Sequence, residues 1–107
     1  MTTFDDREAA FERKFVLDED QKFRATARRN RMLGNWAAEQ LGKSGDEAAA
    51  YAKEVVASDI IEAGEHDVFR KVRADFDAAG VSVSDEEIRT AMRDFLDKAA
   101  AEVKAGR

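Results

Sequence analysis

Gly80-Val81-Ser82-Val83-Ser84-Asp85-Glu86-Glu87 ends one helix and starts another within eight residues. The glycine sits where a helix stops, because it accepts the left-handed backbone that closes the last turn. Ser84 with Glu87 spells S-x-x-E, in which the serine takes the N3 amide while the glutamate reaches back to the cap. A second copy of the signal stands at Gly42-Lys43-Ser44-Gly45-Asp46-Glu47, where Ser44 and Glu47 have the same spacing. Each such cap contributes roughly 1 kcal/mol. Val81-Ser82-Val83 has strand flavour, but three residues make a linker and not a sheet.

Outward from these boundaries the apolar residues recur with helical period. Phe23, Ala27, Leu33, Trp36, Ala37 and Leu41 stripe a first helix over 19–41. Ala48, Tyr51, Ala52, Val55, Val56 and Ile60 stripe a second over 46–62. Val68, Phe69, Val72, Phe76 and Ala79 mark a third over 66–79, after Gly64. Ile88, Met92, Phe95, Leu96, Ala99 and Val103 mark a fourth over 85–104. Proline is absent, so nothing breaks these runs but glycine. The fold class is all-α: a four-helix bundle over residues 18–107 with short loops. No internal repeat is visible.

Length fits one domain, at 107 residues. Hydrophobic residues are 44% of the chain, but 20 of them are alanine, so its core side chains are mostly small. There is no cysteine, which removes disulfides, thiolate chemistry and cysteine zinc sites. No apolar run reaches membrane-spanning length, and MTTFDDREAAF is too charged for a signal peptide. A monomeric cytoplasmic protein is expected.

Formal net charge is -5. A nucleic-acid binder needs a basic footprint, so this balance argues against one, a helix-turn-helix included. The charge is uneven, with eight basic and seven acidic side chains in residues 1–31. Arg24-Ala25-Thr26-Ala27-Arg28-Arg29-Asn30-Arg31 is the dense basic cluster. It reads first as a solvated helix face partnered by the bundle's acids. Its rival reading is an anion site, in which Arg28 would hold nucleotide phosphates while Trp36 or Tyr51 stacks on adenine. Gly42-Lys43-Ser44 has only the tail of a phosphate-loop pattern and none of its glycine-rich start.

Neither catalysis nor a metal site can be assembled. His66 is the sole histidine and reads as an exposed first-turn residue; its rival role is a pH sensor. Asp18-Glu19-Asp20 lacks the glycine and spacing of a calcium loop. The carboxylates have no base, nucleophile and orienter to join. The sequence predicts no enzyme and no required cofactor.

The first seventeen residues form a separate segment. Phe4, Glu8, Phe11 and Phe15 fall at heptad-like spacing, so the phenylalanines would share one helical face. Thr3 could cap that helix, with Asp5, Asp6 and Glu8 in its first turn and Arg13 and Lys14 near its end. A short isolated helix is marginal in water. Burying three phenylalanines stabilises by roughly 5–9 kcal/mol. Ordering about fifteen backbones costs about 1–2 kcal/mol each. Phenylalanine burial alone therefore cannot fix this arm, which is expected to be disordered when free. Either it folds on a partner, or it folds back to cover the bundle.

Several stretches carry a resemblance. They are Thr2-Thr3-Phe4-Asp5-Asp6-Arg7-Glu8 with Ala10-Phe11-Glu12 and Lys14-Phe15; Ala27-Arg28-Arg29-Asn30 through Leu33-Gly34 and Trp36-Ala37-Ala38; Gly42-Lys43-Ser44-Gly45 through Val55-Val56; and Arg70 through Asp75 with Ala78-Ala79-Gly80-Val81. The sequence resembles the zeta-subunit family of alpha-proteobacterial F-type ATP synthase inhibitors. That resemblance implies a four-helix bundle with a mobile N-terminal arm that enters an interface between catalytic alpha and beta subunits and blocks ATP hydrolysis. Its matching positions here are Thr3, Phe4, Asp5, Asp6, Arg7, Glu8, Phe11, Lys14 and Phe15. The implied partner is the catalytic head, with alpha, beta and gamma subunits. The alternative is a ligand-binding bundle that senses adenine nucleotide, ATP or ADP, through Arg28, Trp36 and Tyr51. Val16-Leu17 is more apolar than the family pattern, and His66 also departs from it.

Overall fold

The computed structural model describes the backbone of residues 16–61 and 65–106 and the side chains of 16–59 and 67–106. Its elements are α1 (Glu19–Gln40), α2 (Gly45–Ile61), α3 (Glu65–Ala79) and α4 (Asp85–Lys104). The architecture is all-α, with no strand among the described residues. α1 packs along both α2 and α4, while α3 leans mainly on α2. The core is formed by Leu33, Ala37, Tyr51, Val55, Val68, Phe69, Val72, Phe76, Ile88 and Met92. Its aromatic centre is an edge-on contact between Trp36 and Phe76, with ring centroids 5.8 Å apart.

Local chemistry explains where the helices end. Gly42 and Gly80 have φ of +77° and +69°, the left-handed region that a Cβ disfavours. Beyond Gly42, the Lys43 amide returns to the Ala38 carbonyl at 2.9 Å. Beyond Gly80, the Val81 amide returns to that of Phe76, also at 2.9 Å. Both are Schellman closures, and they satisfy carbonyls the helices would otherwise leave open.

α4 starts with the expected box: the Glu87 amide donates to Ser84 Oγ at 3.0 Å and the Ser84 amide to Glu87 Oε1 at 3.2 Å. Its counterpart at Ser44 does not form. Gly45 takes φ +55°, which turns Ser44 away from the first turn, and only the Ser44 carbonyl meets the Ala48 amide, at 3.4 Å. α1 has a box of its own at Asp18. The Gln21 amide donates to Asp18 Oδ1 at 2.7 Å and the Asp18 amide to Gln21 Oε1 at 3.1 Å.

The buried stripe of α1 also departs from expectation. Phe23 is 75% exposed and stands outside the core. The inward positions are Ala25, Arg29, Asn30, Leu33, Gly34, Ala37 and Ala38. Gly34 explains why small residues face inward: a Cβ built there would lie 2.7 Å from Ala52 Cα. The two backbones are in contact at that point. Counting back along these antiparallel helices from Gly34 and Ala52 places Phe23 beyond Ile61, the last described residue of α2.

Candidate functional site: the root of the N-terminal segment

Thr3, Phe4, Asp5, Asp6, Arg7, Glu8, Phe11, Lys14 and Phe15 lie outside the described residues, so the structure defines the site from its root at Val16. Three contacts fix that root. Lys104 Nζ, at the end of α4, donates to the Val16 carbonyl at 2.7 Å. The Leu17 side chain packs on Ala25, Ala100 and Val103, a small second core between α1 and α4. Asp18 then caps α1. Farther along, Arg28 Nη1 meets Glu102 Oε1 at 3.1 Å and ties α1 to α4 again. The chain therefore enters the bundle through a clamped joint over residues 16–18, extended at Asp18.

The basic cluster divides in two. Arg24 pairs with Asp20 at 3.0 Å and Arg28 with Glu102, as a solvated face partnered by acids should. Arg29 and Asn30 depart from that expectation, being only 1% exposed each. Arg29 Nε donates to Asn30 Oδ1 at 2.6 Å, which offsets part of the cost of taking a guanidinium out of water. Position explains the burial, since Arg29 falls in line with Ala25, Leu33 and Ala37 on the inward face of α1.

Arg28, Trp36 and Tyr51 occupy different surfaces. Trp36 floors an open groove of about 500 Å³ with Ala91 and Phe95, rimmed by Glu86, Glu87 and Asp94. Tyr51 lines another, of about 320 Å³, with Lys43, Glu54 and Asp75. The Tyr51 hydroxyl donates to Asp75 Oδ2 at 2.7 Å, and Lys71 Nζ joins the same carboxylate at 2.9 Å. Lys43 and Lys71 stand 5.9 and 5.2 Å from the centre of the Tyr51 ring. Burial, then the bond to Asp75, then the charges of Asp75 and Glu54 push the Tyr51 phenol well above its ordinary value. For Lys71, desolvation pulls down but the carboxylates of Asp75 and Glu54 outweigh it, leaving the ammonium above its ordinary value. These groups knit α2 to α3.

The His66 side chain lies outside those described. Among the described residues no group of three histidine, cysteine or acidic side chains converges as a metal site would require. No described helix is long and apolar enough to cross a membrane. Sequence reasoning missed three features at this site: the Asp18 cap, the buried Arg29–Asn30 pair and the exposed ring of Phe23. The first is legible as D-x-x-Q, the same spacing as S-x-x-E with other letters.

A solved structure, determined by NMR in solution, is similar at 45% identity, covering 80% of this chain and 98% of its own, with a TM-score of 0.69. No curated protein matches. The sequence profile described as ATPase inhibitor subunit zeta matches residues 1–102, which takes in both the bundle and the segment ahead of Val16. The chain belongs to the ATPase inhibitor subunit zeta family.

Proposed function

We propose that this protein inhibits ATP hydrolysis by the F-type ATP synthase, inserting the N-terminal segment ahead of Val16 at a catalytic alpha/beta subunit interface on the cytoplasmic side. The observation that carries this reading is that the family match begins at residue 1, so the phenylalanine-bearing segment belongs to the family pattern along with the bundle. The clamped root supports it as well, because a bundle that grips its own chain at Val16 can transmit load from a docked segment. Folding and binding are coupled in this mechanism. Phe4, Phe11 and Phe15 fill apolar pockets, while Asp5, Asp6, Arg7, Glu8 and Lys14 set register through rim charges and Thr3 caps the helix. The bundle stays outside, against the alpha and beta subunits and near gamma. The protein performs no catalysis of its own.

The test is the full chain with Phe4, Phe11 and Phe15 all changed to Ala, added to the synthase head of its own organism. Half-maximal inhibition should need at least about a hundredfold more protein, with helical content unchanged. Inhibition equal to that of the native chain would overturn the reading. The rival, an adenine nucleotide as regulatory ligand, would use Arg28, Trp36 and Tyr51 from separate surfaces, and the lysines beside Tyr51 compete for its ring. Amide shifts during ATP titration separate the two readings.

A further inference from the structure

Val16 and Phe23 are the large hydrophobic side chains left mostly in water among the described residues, at 79% and 75% exposure. Both stand at the root of the N-terminal segment. Between them Leu17 turns inward against Ala25, Ala100 and Val103, so the root has a packed side and an open side.

The surroundings identify what could cover this face. Glu19 pairs with Lys22 at 3.5 Å and Asp20 with Arg24 at 3.0 Å, so the charges around Phe23 neutralise one another in pairs. A lipid surface or a nucleic acid attracts a net basic rim, which this face lacks. A paired, neutral rim around one ring fits a protein surface with an apolar pocket. Position narrows the choice further. Lys104 and the Asp18 cap hold residues 16–18 in place, so a surface that receives the residues just ahead of Val16 lies next to the first turns of α1.

We infer that Val16 and Phe23 form an apolar anchor that seats the N-terminal end of α1 on the same catalytic head that receives the segment. This inference rests on the inhibitory reading above. It extends the contact from the segment onto the folded bundle and adds a fixed point that needs no ordering on binding.

Phe23→Ser in the full chain tests it, with Phe23→Leu as the conservative partner and the triple alanine variant of the segment as a control. Because Phe23 is exposed, melting temperature and helicity should stay at native values. Half-maximal inhibition of ATP hydrolysis should need roughly 10- to 100-fold more Phe23→Ser protein, with full inhibition still reached and Phe23→Leu near native. An unchanged inhibition curve for Phe23→Ser, while the triple variant loses potency, overturns the anchor and leaves the inhibitory reading intact. If the triple variant also inhibits normally, both readings fall. Self-association of the native chain that Phe23→Ser abolishes in sedimentation would assign the face to a second copy and overturn the inference.

Discussion

Gly34→Ala tests the packing that holds α1 against α2. Two effects oppose each other at this position. In a helix interior alanine is favoured over glycine by about 1 kcal/mol. Against that gain, the new Cβ would lie 2.7 Å from Ala52 Cα, 3.1 Å from its Cβ and 3.3 Å from its carbonyl oxygen. Two of the three contacts are with backbone, which cannot rotate away as a long side chain can. The helices must separate by several tenths of an ångström, opening contacts on either side of the crossing. Overpacking of this kind costs about 1–3 kcal/mol. With backbone as the nearest neighbour the cost falls in the upper part of that range, about 2–3 kcal/mol, so it wins by roughly 1–2 kcal/mol and lowers the melting temperature by roughly 5–10 °C in a domain of this size. Thermal unfolding followed by circular dichroism at 222 nm measures it. Ala52→Gly added to Gly34→Ala should not restore stability, since the nearest atom is the Ala52 Cα and a second interior glycine carries its own penalty. A Gly34→Ala protein as stable as native, or a double variant that regains native stability, would refute the argument.

Other outcomes follow from the caps and the α2–α3 knot. Asp18→Ala removes the acceptor of the Gln21 amide and should cost about 1 kcal/mol, seen as a lower melting temperature and faster exchange of the first amides of α1. Tyr51 is the sole tyrosine, so its ionisation can be followed at 295 nm. The folded phenol lies above its ordinary value of 10.0, so the stability it contributes is full below pH 10 and declines as pH rises beyond it. Tyrosinate absorbance should therefore appear only as the chain unfolds, and a normal titration near pH 10 in a folded protein would contradict the buried contact. Tyr51→Phe should cost about 1 kcal/mol, with Asp75 still held by Lys71.

The fold was legible where local rules act alone, and less so where tertiary geometry decides. Helix bounds of 19–41, 46–62, 66–79 and 85–104 were read from the sequence, against 19–40, 45–61, 65–79 and 85–104 in the structure. Ser84 caps as its S-x-x-E predicts, whereas Ser44 with the same letters does not, because the left-handed Gly45 intervenes. Size and spacing put Phe23 in the core, while the inward stripe of α1 is alanine, glycine, Arg29 and Asn30 around Leu33. Periodicity cannot see that two backbones touch at Gly34, which reserves the inward face of α1 for small side chains. The candidate binding residues of the segment were legible from their spacing and resemblance alone, since the described structure starts at Val16.

With φ -79° and ψ 176° the Asp18 backbone is extended, so no helical rod formed upstream could run coaxially into α1. The joint sets a corner between a probe and its handle. A torque on the probe would reach the handle as a pull on Val16, Leu17 and Lys104, and not as bending of α1. A rotary machine pressing on such an inhibitor would meet a tether under tension, and the bundle could keep its shape while the load rises.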